Sequence, residues 1–347
     1  MKILAVGAHP DERARLGEKK FRVGVVGLGK MGLVHTSVLN ILPNVEVAAL
    51  CDKSDLIRRF FKKVLKNLPI LDNVEKLSSF GLDAVYVTTP IPYHCNVART
   101  IYQKKVAENV FVEKTLAASY EEAEELCGLA RRSDGVNMVG YLRRFYVTFA
   151  KAKSLLDEGK IGDVSSFEAY AFSSDFVETK EENRESGDRG GVLADLGCYA
   201  MDLALWFFGD MSVKSASSET VLQNSCEVLR FELTQNKGIV GTCDVSWSMK
   251  DYRMPEVGFT VEGSEGTIQV NDDWIKLSLR SGVSSKWHRQ DLNDNVPFWL
   301  GSPEYYREDK YFVDCLLDRF KSEPCFESAS KIDMMIEDVK SKLRKGN

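Results

Sequence analysis

Residues 21 to 52 carry groups whose order suits a pyrophosphate and a ribose. The apolar run Phe21–Val26 leads into Gly27-Leu28-Gly29-Lys30-Met31-Gly32, and a second apolar run, Val45–Asp52, ends in a carboxylate. In this order Gly27 supplies a tight turn after a buried strand. Gly29 supplies a backbone with no Cβ to hold a pyrophosphate away, and Gly32 allows close helix–strand packing. A helix opening near Lys30 aims free N–H groups and its positive dipole end at the phosphates. Asp52 stands 20 residues past Gly32, where a carboxylate accepts hydrogen bonds from both hydroxyls of an adenine ribose. Three glycines alone are a weak signal. With a strand before, a helix after and an acid at this distance they imply a nicotinamide or similar dinucleotide. Asp52 favours NAD over NADP, because its charge repels a 2′-phosphate; Lys53, Ser54 and Arg58 lie near enough in sequence to soften that preference.

A second constellation, Asp195, Tyr199 and Asp202, has spacings of four and three. On a helix these residues form one stripe and can face one pocket. Trp206, Phe207 and Phe208 follow on the same segment and read as its core contacts.

The hydrophobic pattern shows which elements must position these groups. Strand runs at Phe21–Val26, Val45–Asp52, Ala84–Thr89, Asn109–Glu113 and Val136–Tyr141 alternate with amphipathic segments, the pattern of βαβ units and a parallel sheet covered on both faces. Leu56, Ile57, Phe60, Phe61, Val64 and Leu65 recur at helical spacing, leaving Arg58, Arg59, Lys62, Lys63 and Lys66 on a solvated side. Ser119 and Glu122 form a capping box for a helix Ser119–Arg132, so the glutamates near its positive end need no catalytic role. Beyond Phe145 the texture changes. A helix to about Glu158, an extended stretch Val164–Phe172, a polar loop Ser173–Asp188 and a helix Gly191–Phe208 precede short strand runs at Glu227–Leu233, Ile239–Trp247, Val257–Glu262, Thr267–Val270 and Ile275–Leu279. Turns rather than helices separate them, which predicts a mostly antiparallel sheet. Helices Pro303–Phe320 and Ala329–Leu343 end the chain. The predicted fold class is α/β: a doubly wound Rossmann sheet over 21–145, then an α/β domain with an open, largely antiparallel sheet over 146–347. Residues 1–20 form an extension, and the last helices are free to pack back on the first domain.

Composition sets bounds. The 347 residues, 44% hydrophobic and 28% charged, suit two globular domains, and a net charge of −5 gives no electrostatic footprint for nucleic acid or anionic membrane. No apolar run reaches a membrane span, and the N-terminus lacks the apolar core of a signal peptide, so a cytoplasmic protein is expected. The eight cysteines show no C-x-x-C pair and no zinc spacing, as expected of reduced, mostly buried thiols without a metal. His9-Pro-Asp-Glu12 looks like the opening metal motif of the PIG-L-type amino-sugar deacetylases over about a dozen residues, but there is no room for the remaining ligands. An added edge strand or a flexible arm is the better reading. One open face of the second sheet is expected either to join a homo-oligomer or to be covered by the chain's own helices.

Four further segments, Val87–His94, Val112–Thr115, Gly140–Phe145 and Gly190–Asp202, together resemble the Gfo/Idh/MocA family of oxidoreductases, from about Phe21 to the C-terminus. The resemblance implies that Thr88, Thr89 and Pro90 pass beside the cofactor with His94 near its nicotinamide end; taken alone, His94 reads as a helix-start histidine with satisfied hydrogen bonds. It implies that Lys114 stands at the active site with Glu113 beside the cofactor, although Thr115 replaces the usual proline. Arg143 or Arg144 would bind a carboxylate, a phosphate or a cofactor amide. Where the family generally has Asp-x-x-x-His, this chain has Asp195 and Tyr199, as do sugar oxidoreductases and dihydrodiol dehydrogenases within it. A fixed ammonium at Lys114 would stabilise the alkoxide that develops as a carbinol is oxidised. Tyr199 would act as acid or base, with Lys114 the candidate cation favouring its phenolate, and Asp195 and Asp202 would face substrate hydroxyls. The expected function is NAD(P)-dependent interconversion of a hydroxyl and a keto or lactone group on a sugar, cyclitol or sugar derivative. A glycosidase or lyase using NAD as a resident catalyst, and a non-catalytic cofactor-binding regulator, are the alternatives.

Overall fold

The computed structural model describes residues 20–175, 190–221, 226–236, 238–292 and 302–346. The motif expected at His9–Glu12, and most of the polar loop Ser173–Asp188, lie outside the described residues. These divide into two compact units. One holds 20–140 with Glu304–Asp333, the other Tyr141–Pro303 with Met334–Asn347.

The first unit is built on six parallel strands, β1 (Phe21–Val26), β2 (Val45–Cys51), β3 (Ile70–Leu71), β4 (Ala84–Val87), β5 (Asn109–Glu113) and β6 (Asn137–Gly140), in the order β3-β2-β1-β4-β5-β6. Helices α1 (Lys30–Leu39), α2 (Asp55–Val64), α3 (His94–Gln103) and α4 (Tyr120–Ala130) connect them. Strands β4 and β5 are almost entirely buried, as expected when helices cover both faces of a parallel sheet. Of the capping box expected before α4, Ser119 Oγ accepts from Glu122 N–H, while Glu122 Oε2 accepts from Ala118 N–H.

α2 departs from expectation. Of its apolar stripe only Phe61 is buried, while Leu56, Phe60 and Val64 are exposed. The strand that follows it, β3, is two residues long and lies at the sheet edge, so there is little sheet beneath the stripe to cover.

The chain returns to this unit late. Val139 N–H on β6 donates to Pro324 O at 2.9 Å, and Asn137 Oδ1 accepts Phe326 N–H at 2.7 Å. Phe312, Cys315, Phe326, Ala329 and Ile332 add buried apolar groups.

In the second unit, α5 (Val147–Asp157), β7 (Val164–Phe172) and α6 (Cys198–Phe208) precede β8 (Ser212–Val221), β9 (Cys226–Thr234), β10 (Val240–Ser246), β11 (Glu256–Gly263), β12 (Gly266–Asn271), β13 (Trp274–Leu279) and β14 (Ser284–His288). The eight strands form one sheet in the order β14-β13-β12-β11-β7-β10-β9-β8, with β7–β10 its parallel pair and the other pairs antiparallel. Phe167, Ala169 and Ala171 alternate with Glu168, Tyr170 and Phe172 along β7, the first set buried. Helices α7 (Pro303–Asp318) and α8 (Phe326–Gly346) close the chain.

Candidate functional site

The glycine loop after β1 has the geometry its residues predict. Gly27 takes φ +94°, and a Cβ there would lie 2.7 Å from Thr89 N; at Gly32 a Cβ would sit 1.8 Å from Gly27 O, so α1 packs on β1 only through glycine. At Gly29 nothing lies within 4 Å. Gly29 caps α1 without any side-chain hydrogen bond, and the first turn holds no acidic residue. An open, uncapped helix start beside a bare backbone suits a pyrophosphate. The Thr89 hydroxyl nearby is buried without a hydrogen-bond partner, a further fit to a polar group arriving at this loop.

Asp52 follows β2. Its Oδ2 accepts Leu28 N–H at 2.7 Å and its Oδ1 accepts Ser54 N–H at 2.7 Å, which fixes the carboxylate and leaves each oxygen one further lone pair for a ribose hydroxyl. Arg58 is turned to the Asp52 and Lys53 carbonyls, at 2.9 and 2.6 Å. Lys53 and Lys30 are exposed and Met31 is half-buried, its sulfur 3.9 Å from the Tyr305 hydroxyl.

At the end of β4, Thr88 donates its hydroxyl to Gly27 O at 2.7 Å and so ties this strand to the glycine turn. Pro90 is exposed. His94 is fully buried, with Nδ1 2.8 Å from Thr115 O and Nε2 2.7 Å from Thr89 O. Burial holds it below the usual histidine value against those two acceptors. The ring therefore joins two loops by backbone contacts.

At the end of β5, Glu113 is buried while Lys114 is half-buried, and the peptide bond from Lys114 to Thr115 is cis. Glu113 Oε2 accepts Lys114 N–H at 3.0 Å, and Oε1 lies 2.9 Å from His35 Nε2. His35, on α1, is a residue that the motif reading missed. Its signal was a histidine three positions past Gly32, on the face where α1 meets the sheet.

In the second unit, Leu193–Gly197 is wound as a π-helical turn that runs into α6. Asp195 lies in that turn, half-buried, and its Oδ2 accepts from Trp247 Nε1 at 3.2 Å. Tyr199 is half-buried under the Arg143 guanidinium, whose carbon stands 4.9 Å from the ring centroid. Arg143 is buried and held by Asp272 at 3.0 Å, by Pro255 O at 2.9 Å and by the Tyr146 hydroxyl at 3.0 Å. Burial raises the Asp272 carboxyl to about 7, with Arg143 opposing.

Asp202 corrects the expectation of a three-residue stripe toward substrate. It is fully buried, and both oxygens accept from Arg144, at 3.0 Å each from Nε and 2.6 Å from Nη2. A buried carboxylate needs such a partner, so Asp202 is taken up by the fold and Arg144 with it.

Among the described residues seven cysteines are free thiols, and no helix is long and apolar enough to cross a membrane.

Comparison with known proteins bears on what these residues do. The model of the oxidoreductase family with an NAD-binding Rossmann fold matches residues 21–141, and that of the GFO/IDH/MocA C-terminal domain matches 149–269. The chain is 27% identical to a scyllo-inositol 2-dehydrogenase (NAD(+)) of Bacillus subtilis (strain 168), over 60% of its own length and 59% of that protein's. It is 25% identical to a trans-1,2-dihydrobenzene-1,2-diol dehydrogenase of Xenopus laevis, over 88% of this chain and 92% of that one. In fold it is similar to a levoglucosan dehydrogenase solved with NADH and levoglucosan, with a TM-score of 0.83 and 17% identity over 95% of this chain and 98% of that one. The two family models together match more than half of the chain, which belongs to the Gfo/Idh/MocA family of oxidoreductases with an NAD-binding Rossmann domain.

Proposed function

We propose that this protein is an NAD(P)-dependent oxidoreductase that interconverts a hydroxyl and a keto or lactone group on a sugar, cyclitol or sugar derivative. The observation that carries this reading is the first unit's pairing of a bare, uncapped helix start at Gly29 with Glu113-Lys114 at the carboxyl end of a parallel strand, where open α/β sheets bind ligands. Bound NAD would supply the hydride acceptor. Gly27, Leu28, Gly29, Lys30, Met31 and Gly32 would hold its phosphates, Asp52 its ribose, and Thr88, Thr89 and Glu113 would border it. The Lys114 ammonium would stabilise negative charge on the substrate oxygen. Tyr199 would exchange a proton with that oxygen, with Arg143 over its ring face stabilising the phenolate. Asp195, oriented by Trp247, would receive substrate hydroxyls. NAD is preferred to NADP, because Arg58 is turned to backbone carbonyls and Asp52 would repel a 2′-phosphate. A cytoplasmic setting fits the seven free thiols.

The test is a panel of polyols, sugars and sugar derivatives with NAD and NADP, read by reduced-cofactor absorbance. Wild type turns over at least one with NAD, and Tyr199→Phe and Lys114→Ala each lower kcat by about 10²- to 10⁴-fold. Full rate in both variants would remove the assigned roles. Sugar cleavage with no net reduced cofactor would replace the reaction by one in which NAD is a resident catalyst.

A further inference from the structure

His35 is fully buried on α1, with the rings of Phe111, Tyr86 and Tyr305 at 5.2, 5.5 and 5.8 Å. Its Nδ1 lies 2.7 Å from Asp309 Oδ1 and its Nε2 2.9 Å from Glu113 Oε1. Burial raises the Asp309 carboxyl and His35 opposes it; with both carboxyls ionised, a neutral imidazole, having one N–H, would turn one nitrogen lone pair to a carboxylate oxygen, whereas the imidazolium donates to both. A third carboxylate, Glu308, offers an oxygen that with the donor atoms of His35 and Asp309 falls within 4.8 Å. The groups facing the ring are therefore Tyr86 from β4, Glu113 from β5, and Tyr305, Glu308 and Asp309 from α7, with Lys114 next to Glu113. Burial disfavours the charged ring, but Asp309 and Glu113 outweigh it and hold His35 well above the usual histidine value. As placed, His35 Nδ1 and Asp309 Oδ1 are bonded to one another rather than set apart around a common centre. The 2.7 Å from Nδ1 to Asp309 Oδ1 is a hydrogen-bond length, shorter than the roughly 3.3 Å between neighbouring ligands on a tetrahedral zinc with bonds of about 2.0 Å.

We propose that His35 is a buried imidazolium and a positioning residue: bridging Asp309 and Glu113, it fixes the Glu113 carboxylate and through it the backbone that carries Lys114. The last link is Glu113 Oε2, which accepts Lys114 N–H at 3.0 Å. The sequence separations show why this is a tertiary device: His35 is 274 residues from Asp309 and 78 from Glu113. The inference rests on the role given to Lys114 under Proposed function.

Three measurements test it, two without turnover. In histidine-labelled wild type, with His35→Gln identifying the signal, both His35 ring nitrogens stay protonated from about pH 5.5 to about pH 8, well past the ordinary histidine range; a neutral ring in that range overturns the proposal. Hydrogen exchange at the Lys114 amide is faster in His35→Gln and in Asp309→Asn than in wild type, and an unchanged rate overturns it. On the best panel substrate, folded His35→Gln and Asp309→Asn lose roughly 100-fold in kcat with KM little altered, whereas a merely structural role would lower the melting temperature and leave kcat in place. Stoichiometric zinc in wild type, absent from His35→Gln, would also overturn it. If no substrate is turned over, the reading of Lys114 fails on its own, and the ring protonation and amide exchange still decide the His35 bridge.

Discussion

Two buried histidines contact the Glu113–Thr115 segment, and their proton affinities are shifted in opposite directions. His35 reaches it through Glu113, and Asp309 and Glu113 raise its proton affinity against burial; His94 meets Thr115 O at 2.8 Å, and burial lowers its proton affinity against two carbonyl acceptors. Linkage gives each a sign. For His35, raised above 6.5, the folded state binds more protons than the unfolded chain at pH values above 6.5, so its contribution is complete below 6.5 and is lost as pH rises through the folded value. For His94, lowered from 6.5, the unfolded chain binds more protons just below 6.5, so stability declines as pH falls toward the folded value. Urea unfolding midpoints measured through this range should therefore fall on both sides of neutrality. His94→Gln should flatten the acid side alone and His35→Gln the alkaline side alone. Profiles parallel to wild type in both variants would show that neither ring is shifted.

At the scale of elements, the β1–α1 turn assigns different work to glycines three residues apart. At Gly32 an added methyl meets Gly27 O at 1.8 Å, so Gly32→Ala must push α1 away from β1, whereas at Gly29 the same methyl points into open space. Gly32→Ala should lose about 1–3 kcal/mol of stability, as overpacked contacts do. Gly29→Ala should unfold within about 0.5 kcal/mol of wild type yet bind NAD at least about tenfold more weakly, a cost of about 1.4 kcal/mol. Thermal melts and NAD titration by calorimetry check both; equal affinity in Gly29→Ala would remove the pyrophosphate from that loop. These glycines were legible because local order decides them: strand, turn and helix are consecutive. The strands β9 to β13 were legible for the same reason, through alternation between turns. β8 and β14 were not, since Ser212-Val-Lys-Ser-Ala-Ser-Ser-Glu-Thr-Val221 and Ser284-Ser-Lys-Trp-His288 carry few apolar residues, and neighbouring strands supply their pairing. Asp195 lies in the π-helical turn at Leu193–Gly197, and no residue type announces that turn. The pairings His35–Asp309 and Arg143–Asp272 span 274 and 129 residues, beyond the reach of any local pattern.

At the scale of the whole molecule, one face of the second sheet carries a continuous row of polar residues. Across its strands Glu232, Thr242, Glu168, Thr260, Gln269 and Lys276 stand in register, one row of polar groups from β9 to β13. Beside it, Arg230 and Asp244 form a two-point ion pair at 2.7 and 2.8 Å. The row carries Glu232, already held by Lys214 at 3.2 Å, and Glu168 toward one end and Lys276 and Lys286 at the other, so two copies laid face to face and antiparallel would set Glu168 and the lysines among opposite charges. This face is therefore the one on which to test self-association. Thr260, in register between Glu168 and Gln269, is the position to test, because its substitution leaves the buried face of β11 untouched. Thr260→Arg should convert the wild-type oligomer to monomer by light scattering, leave NAD affinity unchanged, and shift the melting temperature according to protein concentration. A wild-type monomer, or an oligomer indifferent to Thr260→Arg, would place the self-association surface elsewhere or abolish it. Raised salt discriminates further: a charge-matched polar face loosens as ionic strength screens it over about 8–10 Å, whereas an apolar one tightens.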